Sequence, residues 1–318
     1  MPPSTSGFGP SVLVSRSAAM ESVMDLAERV ARSEASVLIL GESGTGKSLL
    51  AEHIHRRGDR RDRPFVTVPC ANIPAELFES ELFGHERGSH TDAHARKSGK
   101  FEAAHGGTLF LDGLEVLEPV VQAKLLRVLQ EKAFERLGGV ETVRVDVRVL
   151  SASRESLPEM VGTGAFREDL YYRLNVVQVR IPPLRERPED ILPLARHFLK
   201  LQRTRRRGGP SRFSPAARRM LREHTWPGNV REVSNSVEAA LLRAKGPVIE
   251  PEDLLPAGAG PAEELVAAGA TRLQSLGEVE RLYISEILRR TRGNRSKAAG
   301  ILGISRKTLI AKIKKYQG

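Results

Sequence analysis

At 318 residues and 40% apolar content, the chain is long enough for two or three domains with cores of their own. A single cysteine, Cys70, excludes an intrachain disulfide and a cysteine-built zinc cluster; no stretch approaches the ~18 apolar residues of a membrane span, so a soluble, cytoplasmic protein with no membrane partner is expected. The net charge of +11 is lodged at one end: ten lysines and arginines and no acidic residue follow Glu286, which leaves 40 basic against 39 acidic residues and points to a polyanion-binding module on an ordinary globular body.

In chain order, SVLIL (36–40) reads as a short buried strand, and GESGTGKS follows it directly, leading into the helical stretch LLAEHIHR. This is the pattern G-x-x-x-x-G-K-[ST]. Backbone N–H groups of Gly41, Glu42, Ser43, Gly44, Thr45 and Gly46 would wrap the phosphates of ATP, Lys47 would reach the terminal phosphates, and the Ser48 hydroxyl would ligate Mg2+. PFVTV (64–68), TLFLD (108–112), VDVRVLS (145–151) and VVQVRI (176–181) repeat the strand pattern, with helical stretches such as VVQAKLLRVLQEKAFERL (120–137) between them. Such alternation predicts an α/β fold with a parallel sheet, and Asp112, closing TLFLD, is the natural partner of the magnesium at Ser48.

From Arg185 the strands stop, and PEDILPLARHFLKLQ, SPAARRMLREH and NVREVSNSVEAALLRA read as amphipathic helices, the second with Ser214 as N-cap and Pro215 in its first turn. PAGAGPAEELVAAGA (256–270) has little to pack and reads as linker. The final segment predicts a helix over 276–290, a second helix within GNRSKAAGILGI with a turn at Gly303, and a third, RKTLIAKIKKY, capped by Ser305. Ala298, Ala299, Leu302, Ile304, Leu309 and Ile313 are spaced for a core. Arg306, Lys307 and Thr308 lie at the end that would enter a major groove of double-stranded DNA, with Arg295, Lys312 and Lys315 placed for phosphates.

GESGTGKS, ELFGHERG, FEAAHGGTLFLD, QAKLLRVLQEKAFERLGG, FREDLYYRLNV, PPLRER and WPGNVREV together resemble the AAA+ domain of bacterial sigma-54-dependent transcriptional activators, from about Ser11 to Leu255; the last segment resembles a Fis-type helix-turn-helix. The resemblance implies an AAA+ P-loop NTPase with a helical lid subdomain, a homo-oligomer between dimer and hexamer, and RNA polymerase as the target. It matches Arg167 and Arg173 to arginines offered to a neighbouring subunit's ATP, and Arg231 to the sensor arginine of the lid; local ion pairing with Glu168, Asp169 or Glu232 is the plainer role for these three. The division it suggests is 1–184, nucleotide-binding subdomain; 185–255, lid; 256–275, linker; and 276–318, DNA-binding domain. No regulatory domain is expected ahead of the AAA+ region.

The departures fall on connected parts. The family's glutamate after the Walker B aspartate is Gly113 here, and the asparagine held to restrain that glutamate is Pro69, which has neither N–H nor amide. The Thr-Asn sensor pair is Ser153 and Arg154. The loop GAFTGA, which meets sigma-54, reads GSHTDA from Gly88 to Ala93, so productive sigma-54 contact is not expected. His85, His90 and His94 lack further ligands and read as loop residues before a metal site. Glu115 and Glu118 lie beyond the strand end on a different course and receive no role. Two functions follow: an ATP-binding, DNA-binding regulator with impaired hydrolysis and impaired sigma-54 contact, or a working ATPase that remodels sigma-54 polymerase through an atypical loop.

Overall fold

Five parallel strands carry the body of the chain: β1 (Val37–Leu40), β2 (Phe65–Pro69), β3 (Thr108–Asp112), β4 (Arg148–Ser153) and β5 (Val177–Arg180), in the spatial order β2-β3-β4-β1-β5. The computed structural model describes residues 13–89, 95–154, 156–206, 208–254, 275–291 and 294–317. The chain forms two compact units, Met1–Leu254 and Leu255–Gly318. Of the stretch read as linker, all but Ser275 lies outside the described residues, as do His90, Thr91, Asp92, Ala93 and His94.

The side-chain period of two sorts the sheet into faces. Val37, Ile39, Phe110, Leu150 and Val179 turn to one core with α1 (Ala18–Ala31) and α2 (Lys47–Arg57). Leu38, Leu109, Leu111 and Val149 turn to the other, where Leu125 and Leu129 of α3 (Pro119–Glu131) and Leu170 and Leu174 of α4 (Glu168–Leu174) pack. With both faces covered, the strands are near-continuous apolar runs, and that is why they are legible in sequence. Across the chain-end register, Pro69 lies opposite Asp112, Asp112 opposite Ala152, and Leu40 opposite Ser153 and Arg180. The carboxyl ends of the strands thus share one edge, where nucleotides bind in sheets of this kind.

One helix is shorter than its sequence suggests. The reading of 120–137 as continuous helix is corrected: α3 ends at Glu131, Lys132 adopts a left-handed φ of 56°, and Ala133–Glu135 pairs antiparallel with Thr142–Arg144. The stop lets Phe134 reach Phe83 and Phe101, at ring separations of 5.8 and 6.0 Å, a contact a longer helix would forfeit. The strand expected over 145–151 runs instead from Arg148 to Ser153, while the Val145 N–H bonds to the Lys132 carbonyl and continues the hairpin.

The helical subdomain comprises α5 (Ile191–Arg206), α6 (Pro215–Glu223) and α7 (Asn229–Arg243), around a core that includes Leu194, Leu199, Leu221, Trp226, Val233 and Val237. Ser214 caps α6 by accepting the Ala217 N–H at 3.1 Å, with Pro215 in the first turn. In the second unit α8 (Leu276–Arg290), α9 (Arg295–Leu302) and α10 (Arg306–Gln317) close around Ile284, Ile287, Ala298, Ala299 and Leu309.

At the entry to β3, a Cβ on Gly107 would stand 2.1 Å from the Pro64 carbonyl oxygen, which accepts the Thr108 N–H at 2.8 Å. Gly107→Ala must therefore part β2 from β3. Its expected cost is about 1–3 kcal/mol, read as a thermal midpoint lower by several degrees.

Candidate functional site

The loop between β1 and α2 is built by glycine conformations: Gly44 has φ 77° and Gly46 φ 109°. No Cβ contact would arise at Gly46, so glycine is required there by the backbone alone. Lys47 opens α2 with its side chain buried, and its ammonium donates to the carbonyl oxygens of Gly41 (2.7 Å) and Glu42 (3.1 Å). Burial pushes the pKa of Lys47 down, against the opposing pull of the Asp112 and Glu115 carboxylates. A buried cation on neutral carbonyls, at a helix N-terminus with its free N–H groups, suits a polyphosphate. Ser48 Oγ donates to Asp112 Oδ2 at 3.0 Å, so hydroxyl and carboxylate meet as a hard-cation pair would require. This donor set fits Mg2+ and a nucleotide.

The helical subdomain grips the loop from outside. Arg185 forms a two-pronged ion pair with Glu42, at 2.8 and 2.6 Å, and this pairing holds the Glu42 pKa below the usual carboxylate range in spite of burial. Asn229 is fully buried at φ 52°. Its amide donates to Glu42 Oε2 (3.1 Å) and the Ser43 carbonyl (3.0 Å), while its Oδ1 accepts the Leu184 N–H at 2.7 Å. The Val230 N–H bonds to the Gly44 carbonyl at 3.0 Å, and Arg231 Nη1 donates to Ser43 Oγ at 2.9 Å. Arg231 thus reaches the glycine loop. Sequence reasoning missed Asn229 and Arg185; the only sequence signal was their presence in WPGNVREV and PPLRER.

At the end of β3, Gly113 takes φ 96° and a short 3-10 turn, Leu114–Val116, follows. Leu114 is fully buried, and the turn brings Glu115 back to the sheet edge rather than away from it. The expectation that Glu115 follows a different course is therefore overturned. Its side chain is 3% exposed; Oε2 accepts from Ser153 Oγ at 2.9 Å and from the Arg154 N–H at 3.4 Å, and Oε1 accepts from Arg154 Nε at 2.7 Å. Oε1 also lies 3.8 Å from where a Cβ on Gly113 would be. Burial raises the Glu115 pKa, but the bonds from Arg154 and Ser153 outweigh it and keep the carboxylate ionised below its usual range. Cys70, next to Pro69 and buried, has its thiol pushed up to about 12 by burial and by the charges of Asp112 and Glu115.

Arg167 and Arg173 are exposed and belong to a different part of the surface chemistry. Arg167 pairs with Asp169 at 2.8 Å, the plainer local role, and Arg173 donates to the Leu129 carbonyl at 2.9 Å. His85 spends both ring nitrogens on Ser80 Oγ (2.7 Å) and the Ala95 carbonyl (3.1 Å).

In the second unit Gly303 turns the chain at φ 66°, and Ser305 Oγ accepts the Thr308 N–H at 3.0 Å while sharing a hydroxyl bond with Thr308. Arg295, Arg306 and Lys307 are exposed. Lys312 is committed to Glu280 of α8 at 2.6 Å, and the Lys315 side chain lies outside the described ones.

A glycine loop at the carboxyl edge of this strand order, an attached helical lid and a separate capped helix-turn-helix define an AAA+ P-loop NTPase joined to a DNA-binding module. More narrowly, the chain belongs to the family of sigma-54-dependent transcriptional activators. Residues 13–180 match the sigma-54 interaction domain, 185–267 the AAA+ ATPase lid domain, and 275–316 the bacterial regulatory protein, Fis family. It is 45% identical over 318 residues to the transcriptional regulatory protein FlbD of Caulobacter vibrioides, covering 96% of this chain and 70% of that one. It is 44% identical to the regulatory protein AtoC of Escherichia coli, covering 96% and 67%. Among solved structures, NtrX of Brucella abortus in complex with ADP is similar with a TM-score of 0.72 and 37% identity, over 96% of this chain and 69% of that one; its complex with ATP gives 0.70 and 38%, over 95% and 68%.

Asn229→Ala would strip the Leu184 N–H and the loop groups of their partner and place alanine at a left-handed φ. Its expected cost is about 2–4 kcal/mol, measured as a lower unfolding midpoint of the full chain, whereas removal of the exposed Arg180 side chain leaves the midpoint within about a degree.

Proposed function

We propose that this chain is an ATP-binding, sequence-specific DNA-binding regulator of transcription that holds Mg·ATP far better than it hydrolyses it. One observation carries this reading: Lys47, Ser48 and Asp112 converge at the sheet edge, while Pro69 stands opposite Asp112 and the position after Asp112 has no side chain. In it, Gly41 to Ser48 cradle the phosphates, Ser48 and Asp112 hold Mg2+, and Arg231 senses the nucleotide from the lid. Loss of a positioned carboxylate slows hydrolysis by about 10²- to 10⁴-fold, whereas binding rests on the intact loop. The complexes of Brucella abortus NtrX with ADP and ATP support nucleotide binding here.

Arg167 and Arg173, exposed and engaged away from their own loop, are offered to the ATP of a neighbouring copy in a homo-oligomer, from dimer to hexamer. Arg306, Lys307 and Thr308 read double-stranded DNA, and Arg295 and Lys315 meet its backbone, joined by Lys312 once it leaves Glu280. The working division is 1–184, 185–255, 256–275 and 276–318, and the site of action is the cytoplasm. Among the described residues no helix is long and apolar enough to cross a membrane. Remodelling of sigma-54 RNA polymerase by a working ATPase is the second reading, favoured by the Glu115 carboxylate beside Gly113.

Calorimetry on the purified chain should record ATP binding, abolished by Lys47→Ala, with wild-type turnover below about 0.1 per second. Turnover of about one per second or faster would overturn the reading in favour of the working ATPase.

Duplex DNA should bind with an affinity that falls about 10³-fold between about 50 and about 200 mM salt, and deletion of residues 276–318 should remove it. Arg306→Ala should flatten the sequence preference, and Lys315→Ala should weaken all duplexes alike. A selection that recovers no preferred sequence counts against the assignment.

A further inference from the structure

The carboxylate missing after Asp112 has not left the site; it has moved along the chain. Gly113 supplies the left-handed turn, φ 96°, that an L side chain resists, and Leu114 is anchored in the core, so the following residue returns towards the strand ends. What returns is a carboxylate whose side chain is 3% exposed. Its bonds to Ser153 and Arg154 hold it at the carboxyl end of β4, where its charge opposes the effect of burial on Lys47 and adds to it on Cys70. Its Oε1 is 3.8 Å from the stem of the side chain that Gly113 lacks.

Both oxygens are occupied. Ser153 Oγ and the Arg154 N–H hold Oε2, and Arg154 Nε holds Oε1 at 2.7 Å. These are the two residues that replace the usual sensor pair, so the relocated carboxylate and its holders are changes at one place. A carboxylate in that grip is fixed in charge and direction and does not orient water. The grip is also breakable, since the Arg154 side chain is 50% exposed and water can solvate it when it swings away.

We propose that Glu115 is the water-orienting carboxylate of this site, relocated from position 113, and that Ser153 and Arg154 are positioning residues that latch it in a resting state. The inference rests on the nucleotide-binding reading above and explains its slow turnover: the rate is that of the released state multiplied by its population. In the released state the oxygen of a water bonds to the terminal phosphorus of ATP as the bond from that phosphorus to the bridging oxygen breaks. The water's proton passes to Glu115 and then to solvent, leaving ADP, inorganic phosphate and a proton.

The test compares wild type, Glu115→Gln, Arg154→Ala, the double variant and Ser153→Ala, all as the full chain, by steady-state turnover, ATP calorimetry and nucleotide-free thermal unfolding. Arg154→Ala should raise turnover about tenfold and Ser153→Ala a few-fold. Glu115→Gln and the double variant should drop below wild type by about tenfold, with ATP affinity held within about twofold throughout. In the nucleotide-free protein the shifts of the two single variants at 115 and 154 should be non-additive in the double variant, a signature of the latch that needs no ATP. Additive midpoints, or turnover unmoved by Arg154→Ala and Glu115→Gln alike, would overturn the latch. Failure of the wild type to bind ATP would instead overturn the nucleotide-binding reading, and fast wild-type turnover its slow-hydrolysis part; in either case the midpoints would still decide the latch.

Discussion

The glycine loop and the helical lid are in backbone contact, and the nucleotide-site geometry depends on that closeness. A Cβ at Gly44 would stand 2.3 Å from the Gly228 carbonyl oxygen and 3.1 Å from Arg231 Cβ, so the two segments approach to a distance that only glycine allows. Around this point the polar groups are paired: Val230 with Gly44, Asn229 with Glu42 and Ser43, Arg185 with Glu42. The loop that would hold phosphates therefore has one wall in the sheet and one in the lid. A rotation of the lid breaks these bonds or carries the loop with it, and two packed elements so joined act as a single mechanical element.

The charges at the sheet edge show a second constraint. The charges of Asp112, Glu115, Arg154 and Arg231 all reach the Lys47 ammonium, the carboxylates opposing the effect of burial and the arginines adding to it. Glu115 is spoken for by Arg154, and Asp112 by the Ser48 hydroxyl. Lys47 is left on carbonyl oxygens, which satisfy its hydrogen bonds but not its charge. The Lys47 charge thus stays at the loop on carbonyl oxygens, while the carboxylate two residues beyond Gly113 is paired with Arg154, the residue just past β4. The split separates a site's capacity to attract an anion from its capacity to act on one.

Much of this could be read from the sequence because it rests on short-range rules. Buried strands are continuous apolar runs, the spacing of Gly41 to Ser48 fixes a loop, and a serine ahead of a helical pattern makes a cap, as Ser214 and Ser305 do. The meeting of Ser48 with Asp112 follows from parallel strands sharing one edge. What the sequence concealed depends on a conformation or a distant partner. The return of Glu115 needs the positive φ of Gly113 and the burial of Leu114, neither of which has a periodic signature. The end of α3 at Glu131 is imposed by Phe83 and Phe101, about thirty to fifty residues away in the chain, and Asn229 acts through a loop some 190 residues earlier. Local propensity gives way at these places to tertiary contacts.

The charge distribution connects the two ends of the chain without requiring any contact between them. Up to Glu286 the chain carries 40 basic and 39 acidic residues, so its net charge is near zero and adds little to overall attraction for a polyanion. The ten cations after Glu286 concentrate that attraction on the Fis-type unit, where α9 and α10 leave Arg295, Arg306 and Lys307 exposed. Within the unit, Glu280 holds Lys312 against α8, so part of the positive charge stabilises the three-helix fold rather than facing solvent. The capping bond between Ser305 and Thr308 fixes the start of α10, and with it the direction in which Arg306 and Lys307 project. Charge gives this end its affinity for a polyanion, and the cap orients the two side chains that could read one.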